Sequence, residues 1–238
     1  MSKRKTYLFV SPHFDDAVFS TGGYMMHLAK NDEQVVVVNV FTDCGDGKNT
    51  VSAKRYLEQC GYDDAKVLYE ERKREDARVL KNIGASVVNL SFIDALWRER
   101  NRSIIPFVPE FRTLYPTYRL HISKGRLHKQ DLELKKKLTS ELKKIAAKYN
   151  AHSVFAPMGI GNHVDHVLVR EAVKDMNMKN TFYWEDYPYN VGLKLEEKNS
   201  LIFEPDWEKK QKLIRMYKTQ YKSVFPHGVV EMEEIFRK

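Results

Sequence analysis

The stretch "TYLFVSPHFDDAVFSTGG", Thr6 to Gly23, constrains the fold more than any other. An apolar, β-branched run of strand length breaks off into a histidine and two aspartates, and helix-forming residues then resume. With "QVVVVNVF" after it, the order is strand, helix, strand. Such a unit demands parallel strands joined by a crossover helix. In an open sheet of that kind the carboxyl ends of the strands share one edge, and polar residues placed there face the ligand crevice.

The rest of the chain continues the alternation. "FTDCGDGKNT" reads as a loop, "DDAKVLYEERKREDARVLKNIG" as a helix closed by Gly84, and "ASVVNLSF" as a third strand. Periodicity then fails while Pro, Arg and aromatic residues accumulate, which predicts a long irregular insertion around 97–127, a place where substrate contacts often lie. Leu134, Leu138, Leu142, Ile145 and Tyr149 recur at helical spacing. "AHSVFAPM" is a strand, "GIGN" a turn and "HVDHVLVREAVKDM" a helix, followed by a strand in "NTFYWEDYPYN" and one C-terminal helix in "DWEKKQKLIRMYKTQYKSV". With no repeat or linker, the expectation is a single domain over 1–238. Its class is α/β, a Rossmann-like three-layer sandwich with a mainly parallel sheet and helices on both faces.

Composition excludes several classes. With 238 residues, 42% of them hydrophobic, the chain buries a substantial core and is not disordered. Cys44 and Cys60 form no CxxC pair, so neither a disulfide framework nor a cysteine zinc site is expected. No apolar stretch reaches bilayer length and no signal-peptide core is present, which points to a cytoplasmic protein without a membrane span. The net charge of +8 suits an anionic partner, yet much of the excess lies in "ELKKKLTSELKKIAAK", one solvated helix face. No nucleic-acid partner is therefore expected, and a homo-oligomer is allowed.

Two polar clusters carry the chemistry. "SPHFDD" follows one strand and "GNHVDH" another, so both belong on the same sheet edge. Alone, the first is an ordinary turn with an N-cap aspartate and the second an acid-capped helix start. Together they supply His13, Asp16 and His166, two imidazoles and a carboxylate, the ligand pattern of a catalytic zinc site that iron(II) also accepts. Asp15, His163 and Asp165 remain for hydrolysis. A bound divalent metal acidifies water to a pKa of roughly 7 and polarises a carbonyl. Asp15 then suits a general base, and His163, held by Asp165, suits an imidazolium that stabilises an oxyanion or protonates a leaving amine.

At these residues the sequence resembles the LmbE-like, or PIG-L, superfamily of metal-dependent N-acetylglucosamine de-N-acetylases. "PHFDD" is similar to its PHxDD signature and "HVDH" to its HxDH signature. "RKRED" with "IGA" resembles its RxxE helix, and "YKTQ", Tyr217 to Gln220, a C-terminal helix ending in Ser/Thr-Gln. The resemblance implies zinc on His13, Asp16 and His166, Asp15 as base and His163 as oxyanion stabiliser or acid. It implies removal of an acetyl group from an N-acetylated amino sugar or glycoconjugate. Some members carry a tyrosine in the turn before HxDH; "GIGN" has none, leaving Asn162 or a tyrosine of "YWEDYPY" to stand in. "FYWEDYPY" resembles a stretch of one branch of the family and suggests Glu185 and Asp186 as partners of sugar hydroxyls.

Two further candidates come from the residues. Asp43 ends a strand on the expected edge and suits a sugar hydroxyl. Arg72 suits an anionic or hydroxyl group of the substrate, against a helix salt bridge to Glu75 or Asp76. The arginines of "WRERNR" either hold a phosphate or are solvated. Competing readings are a hydrolase of another amide or ester, a two-metal phosphoesterase, a nucleic-acid-binding module and a non-catalytic carbohydrate binder.

Overall fold

The computed structural model describes residues 4–101, 105, 107–193 and 200–238. Strand β1 (Thr6–Ser11), helix α1 (Asp16–Lys30) and strand β2 (Gln34–Asp43) form the expected parallel unit. Phe9, Val35 and Val37 pack into one apolar cluster, while Leu8, Val10, Val36, Val38 and Val40 pack into another on the opposite face. Both faces of these strands are therefore buried, as a parallel sheet between helix layers requires.

Helix α2 (Val51–Cys60), helix α3 (Ala65–Ile83) and strand β3 (Ser86–Ile93) follow. The α2 segment carries no clear periodicity because only Ala53 and Leu57 are buried from it; Thr50 starts it by accepting from Ala53 N–H at 3.1 Å. The irregular stretch holds the short α4 (Pro109–Arg112) and a 3-10 turn at Ile122–Lys124. Then come α5 (Asp131–Lys148), β4 (Ala151–Pro157), α6 (Val164–Lys174), β5 (Thr181–Trp184), β6 (Ser200–Phe203), α7 (Trp207–Met216), α8 (Lys218–Val224) and β7 (Glu234–Arg237).

The sheet runs β3-β2-β1-β4-β5-β7-β6. All pairings from β3 to β5 are parallel, and the last two strands are antiparallel. The chain moves outward from β1 to β2 and β3, then returns to place β4 on the other side of β1. The edge between β1 and β4 is therefore the topological switch point, where ligands of open α/β sheets bind. Leu138, Leu142 and Ile145 of α5 and Leu168, Val169 and Ala172 of α6 cover one face. Helices α1, α3 and α7 cover the other. Among the described residues no helix is long and apolar enough to cross a membrane.

Two elements differ from the sequence expectation. The single C-terminal helix is two, broken at Tyr217, whose φ of −82° and ψ of 68° leave the helical region. The antiparallel pair β6 and β7 was not legible, because four residues each are too few for a period to register.

Gly23, in the middle of α1, shows how closely the layers approach. A Cβ there would lie 2.3 Å from Pro205 Cβ and 3.2 Å from Pro205 Cα. Glycine in a helix interior normally costs about 1 kcal/mol relative to alanine, so contact, not propensity, selects it. Gly23→Ala is expected to lower the unfolding free energy by about 1–3 kcal/mol through overpacking. Urea denaturation checks this, and a variant as stable as the parent would show that α1 can shift away from Pro205.

Candidate active site

At the end of β1, Ser11 does the work that the sequence suggested for an aspartate. Its hydroxyl donates to His13 O at 2.5 Å and accepts from Ala17 N–H at 3.0 Å, satisfying a donor of the first helical turn. Asp15 occupies the N-cap position but makes no side-chain cap hydrogen bond. Both aspartates are thereby left to the site. Asp16 Oδ2 accepts from His13 N–H at 2.8 Å and lies 2.9 Å from His13 Nδ1 and 3.3 Å from His166 Nε2.

The second cluster comes from the turn after β4. Gly161, at φ +86°, and Asn162, at φ +57°, adopt left-handed conformations that turn the chain so that His163 becomes the N-cap of α6. Its Nδ1 accepts from Asp165 N–H at 3.2 Å. One turn on, His166 Nδ1 lies 2.7 Å from Asp186 Oδ1, and Asp186 Oδ2 accepts from Gly159 N–H at 2.7 Å and Ile160 N–H at 2.9 Å.

Donor atoms of His13, Asp16 and His166 all fall within 4.8 Å of one another. Each imidazole also has its outer nitrogen on a carboxylate: His166 on Asp186, and His13 Nε2 at 3.3 Å from Asp165 and 3.4 Å from Asp94. That arrangement, a carboxylate orienting a histidine whose other nitrogen faces a shared point, is how metal-ligating histidines are held. The electrostatics agree. Burial opposes charge on His13, yet Asp16, with Asp165 and Asp94, outweighs it and raises the imidazole to about 10; His166 is raised well above its ordinary value by Asp16 and Asp186 against the same penalty. The carboxylates therefore favour positive charge at this point, and the donor set fits a divalent metal.

The adjacent aspartates are pushed apart. Burial raises the Asp15 carboxyl, with Arg72 opposing, while His166 and His13 overcome burial to hold Asp16 well below the ordinary range. Opposite shifts in neighbouring carboxyls are the usual basis for separate catalytic roles. Burial, reinforced by His13 and His166 against the pull of Asp165, lowers His163 to about 3.

Several sequence expectations are corrected. The Asp165 carboxylate does not hydrogen-bond His163; it binds Arg98, Ala95 N–H at 3.0 Å and His13, and only its backbone reaches His163. Arg98 is neither solvated nor open to a phosphate: it is buried between Asp165 and Asp131, with its guanidinium 4.7 Å from the Phe41 ring centroid. Arg102 lies outside the described residues. Arg72 pairs with Asp15 at 3.3 Å and not with Glu75 or Asp76. Asp43 accepts from its own turn at Gly45 N–H, 2.8 Å away, and Glu185 is buried against Arg237 at 2.5 Å. Asp43, Glu185 and Asp186 do not line the cleft.

The cleft over the site has a volume of about 1190 Å³ and contains His13, Asp15, Asp16, Arg72, His163 and His166. It also contains residues that the sequence reading missed. Asp94, just beyond β3, accepts from Tyr69 O–H at 2.6 Å and Leu96 N–H at 2.9 Å; its place at a strand end was the available signal. Tyr118, from the irregular stretch, packs 5.9 Å from the His163 ring, and Tyr189 packs 6.3 Å from His166. Their phenols meet each other across the cleft. Asn162 is exposed outside it, whereas Tyr189 of "YWEDYPY" lies in its wall, seated on Gly161, where a Cβ would come within 2.9 Å of the ring.

Comparison with known proteins adds four similarities. Residues 8–177 match the PIG-L family, described as GlcNAc-PI de-N-acetylase. A 2'-N-acetylparomamine deacetylase of Niallia circulans is 27% identical over 247 residues, covering 93% of this chain and 83% of that protein. A deacetylase of teicoplanin biosynthesis, solved in complex with teicoplanin, superposes with a TM-score of 0.77 at 22% identity over 98% of this chain and 97% of that one. The zinc-inhibited form of teicoplanin deacetylase superposes at 0.75 with 22% identity and the same coverage, so the fold is shared.

If Asp186 orients His166, Asp186→Asn is expected to weaken metal binding roughly 10- to 100-fold without unfolding the chain. Titration of metal-stripped protein with zinc, followed by calorimetry, reads this directly; equal affinities in parent and variant would leave Asp186 a purely structural residue.

Proposed function

The chain belongs to the PIG-L family of GlcNAc-PI de-N-acetylases, and from that premise we propose that it is a metal-dependent N-deacetylase of an N-acetylated amino sugar or its glycoconjugate. One observation carries the reading: the donors of His13, Asp16 and His166 converge beside Asp15, a buried carboxylate outside that donor set. The 27% identical relative named for an N-acetylated aminoglycoside supports the substrate class. Two imidazoles and one carboxylate suit zinc, with iron(II) as the other candidate.

When bound, the metal would polarise the acetamide carbonyl and acidify water beside it. Asp15 removes the proton from the attacking water as its oxygen bonds to the carbonyl carbon. Its raised basicity favours that step, and Arg72 keeps the carboxylate ionised and oriented. When the carbon–nitrogen bond breaks, Asp15 returns the proton to the leaving nitrogen, so acetate and a free amine result.

His163 works as a neutral donor. Because its Nδ1 accepts a backbone N–H, the ring proton of neutral imidazole sits on Nε2, where it can bond the negative charge developing on the carbonyl oxygen. This replaces the imidazolium role suggested by sequence alone, and the lowered pKa of His163 agrees with it. Asp165 acts on His13 and contributes to the orientation of the donor set.

Acetate release from a panel of N-acetylglucosamine derivatives tests the reading. Asp15→Asn is expected to retain metal and lose at least about 100-fold in turnover, whereas His166→Ala loses both metal and activity. A chelator abolishes acetate release by the parent, and zinc or iron(II) restores it. Turnover unchanged in both variants would sink the mechanism.

A further inference from the structure

Asp15 has one side-chain hydrogen-bond partner among the described residues, Arg72. What fixes Arg72 is therefore relevant to the base. Its Nη1 donates to Tyr56 Oη at 2.9 Å, and Tyr56 O–H donates in turn to Gln220 Oε1 at 3.1 Å. The Gln220 amide is oriented from its other end, where Nε2 donates to Cys60 Sγ at 3.6 Å. The line Gln220, Tyr56, Arg72, Asp15 thus crosses from α8 through α2 and α3 to the start of α1.

The same C-terminal segment makes a second set of links. Tyr217 O–H lies 2.8 Å from Asp76 Oδ1 and 3.3 Å from Phe14 O, the carbonyl between His13 and Asp15. Thr219 donates to Glu75 from its backbone at 3.2 Å and from its hydroxyl at 2.6 Å. Glu75 and Asp76 sit on α3 within one turn of Arg72, so α8 is bolted to the helix that carries the arginine.

We propose that Tyr56 and Gln220 are positioning residues for the base, relaying the placement of the C-terminal segment through Arg72 to the Asp15 carboxylate. The inference rests on Asp15 being the base. A guanidinium is a rigid planar fork, so pinning one nitrogen on Tyr56 sets the plane and the point at which the other meets Asp15. Without that pin the fork rotates about its stem, and small misplacement of a catalytic group is costly in rate.

Tyr56→Phe and Gln220→Ala are each expected to reduce kcat about tenfold with KM within about threefold of the parent. Metal content stays the same. Gln220→Glu, which keeps the acceptor oxygen, recovers most of the loss. The double variant Tyr56→Phe/Gln220→Ala is no worse than the weaker single one, because the line is already cut; losses that multiply would overturn the relay. So would a kcat within twofold of the parent for either single variant. Crystal structures of Tyr56→Phe and the parent read the same relay without turnover. Arg72 turned away from Asp15 supports it and an unmoved guanidinium overturns it, whatever the substrate proves to be.

Discussion

The buried carboxylate of Asp165 is the interaction on which the site depends. It is fully enclosed, so its charge must be met by partners within the protein. Arg98 and Ala95 N–H come from the irregular stretch after β3, and His13 comes from the end of β1. One carboxylate on α6 therefore joins the two strand ends of the switch point to the segment that roofs the cleft. Asp131, which also accepts from Arg98 and from Tyr115 O–H, extends the same network to the start of α5. Breaking such a buried pair leaves a bare charge in low dielectric, which costs far more than the pair contributes on balance.

This dependence explains which parts of the site were legible in the sequence. His13, Asp15 and Asp16 follow an apolar run directly, His163 and His166 follow another across a short turn, and strand ends on one edge are a topological consequence of parallel pairing. Asp186 was visible as a polar residue at a strand end, but nothing local separates an acid that meets a sugar from one that holds a histidine; a partner twenty residues away decides it. Arg98 was misread for the same reason, since its acids lie 33 and 67 residues distant. Ser11 was passed over because the neighbouring aspartates are equally good cap residues by composition. The fold shows the same divide: long strands and helices declare their period, whereas α2, β6 and β7 are too short or too polar to do so.

The tyrosine wall has a related logic. The turn before His163 needs left-handed residues to bring the histidine to the helix start, and Gly161 meets that need. Its missing side chain leaves room for Tyr189, which arrives from the loop after β5 and reaches Tyr118 on the opposite wall. An aromatic surface that the turn itself does not carry is thus delivered from two other loops. Backbone geometry at one residue determines where that surface originates.

The chain's overall charge and the charge of its site have opposite signs, and the difference is instructive. Lys and Arg exceed Asp and Glu to give +8, a quantity set by exposed side chains. At the switch point Asp15, Asp16, Asp94, Asp165 and Asp186 gather within the same few strand ends, and the guanidiniums that meet them directly are Arg72 and Arg98. Arg72 answers Asp15 and Arg98 answers Asp165, while Asp186 and Asp94 act on the imidazoles. Asp16 is the carboxylate left with histidine nitrogens alone, on both sides. A divalent cation would take the place of the protons that these carboxylates favour on His13 and His166, so the point the two imidazoles share with Asp16 is electrostatically matched to such a cation. A basic surface selects partners by net charge, whereas the match of this site to a cation comes from Asp16, an acid that neither Arg72 nor Arg98 meets.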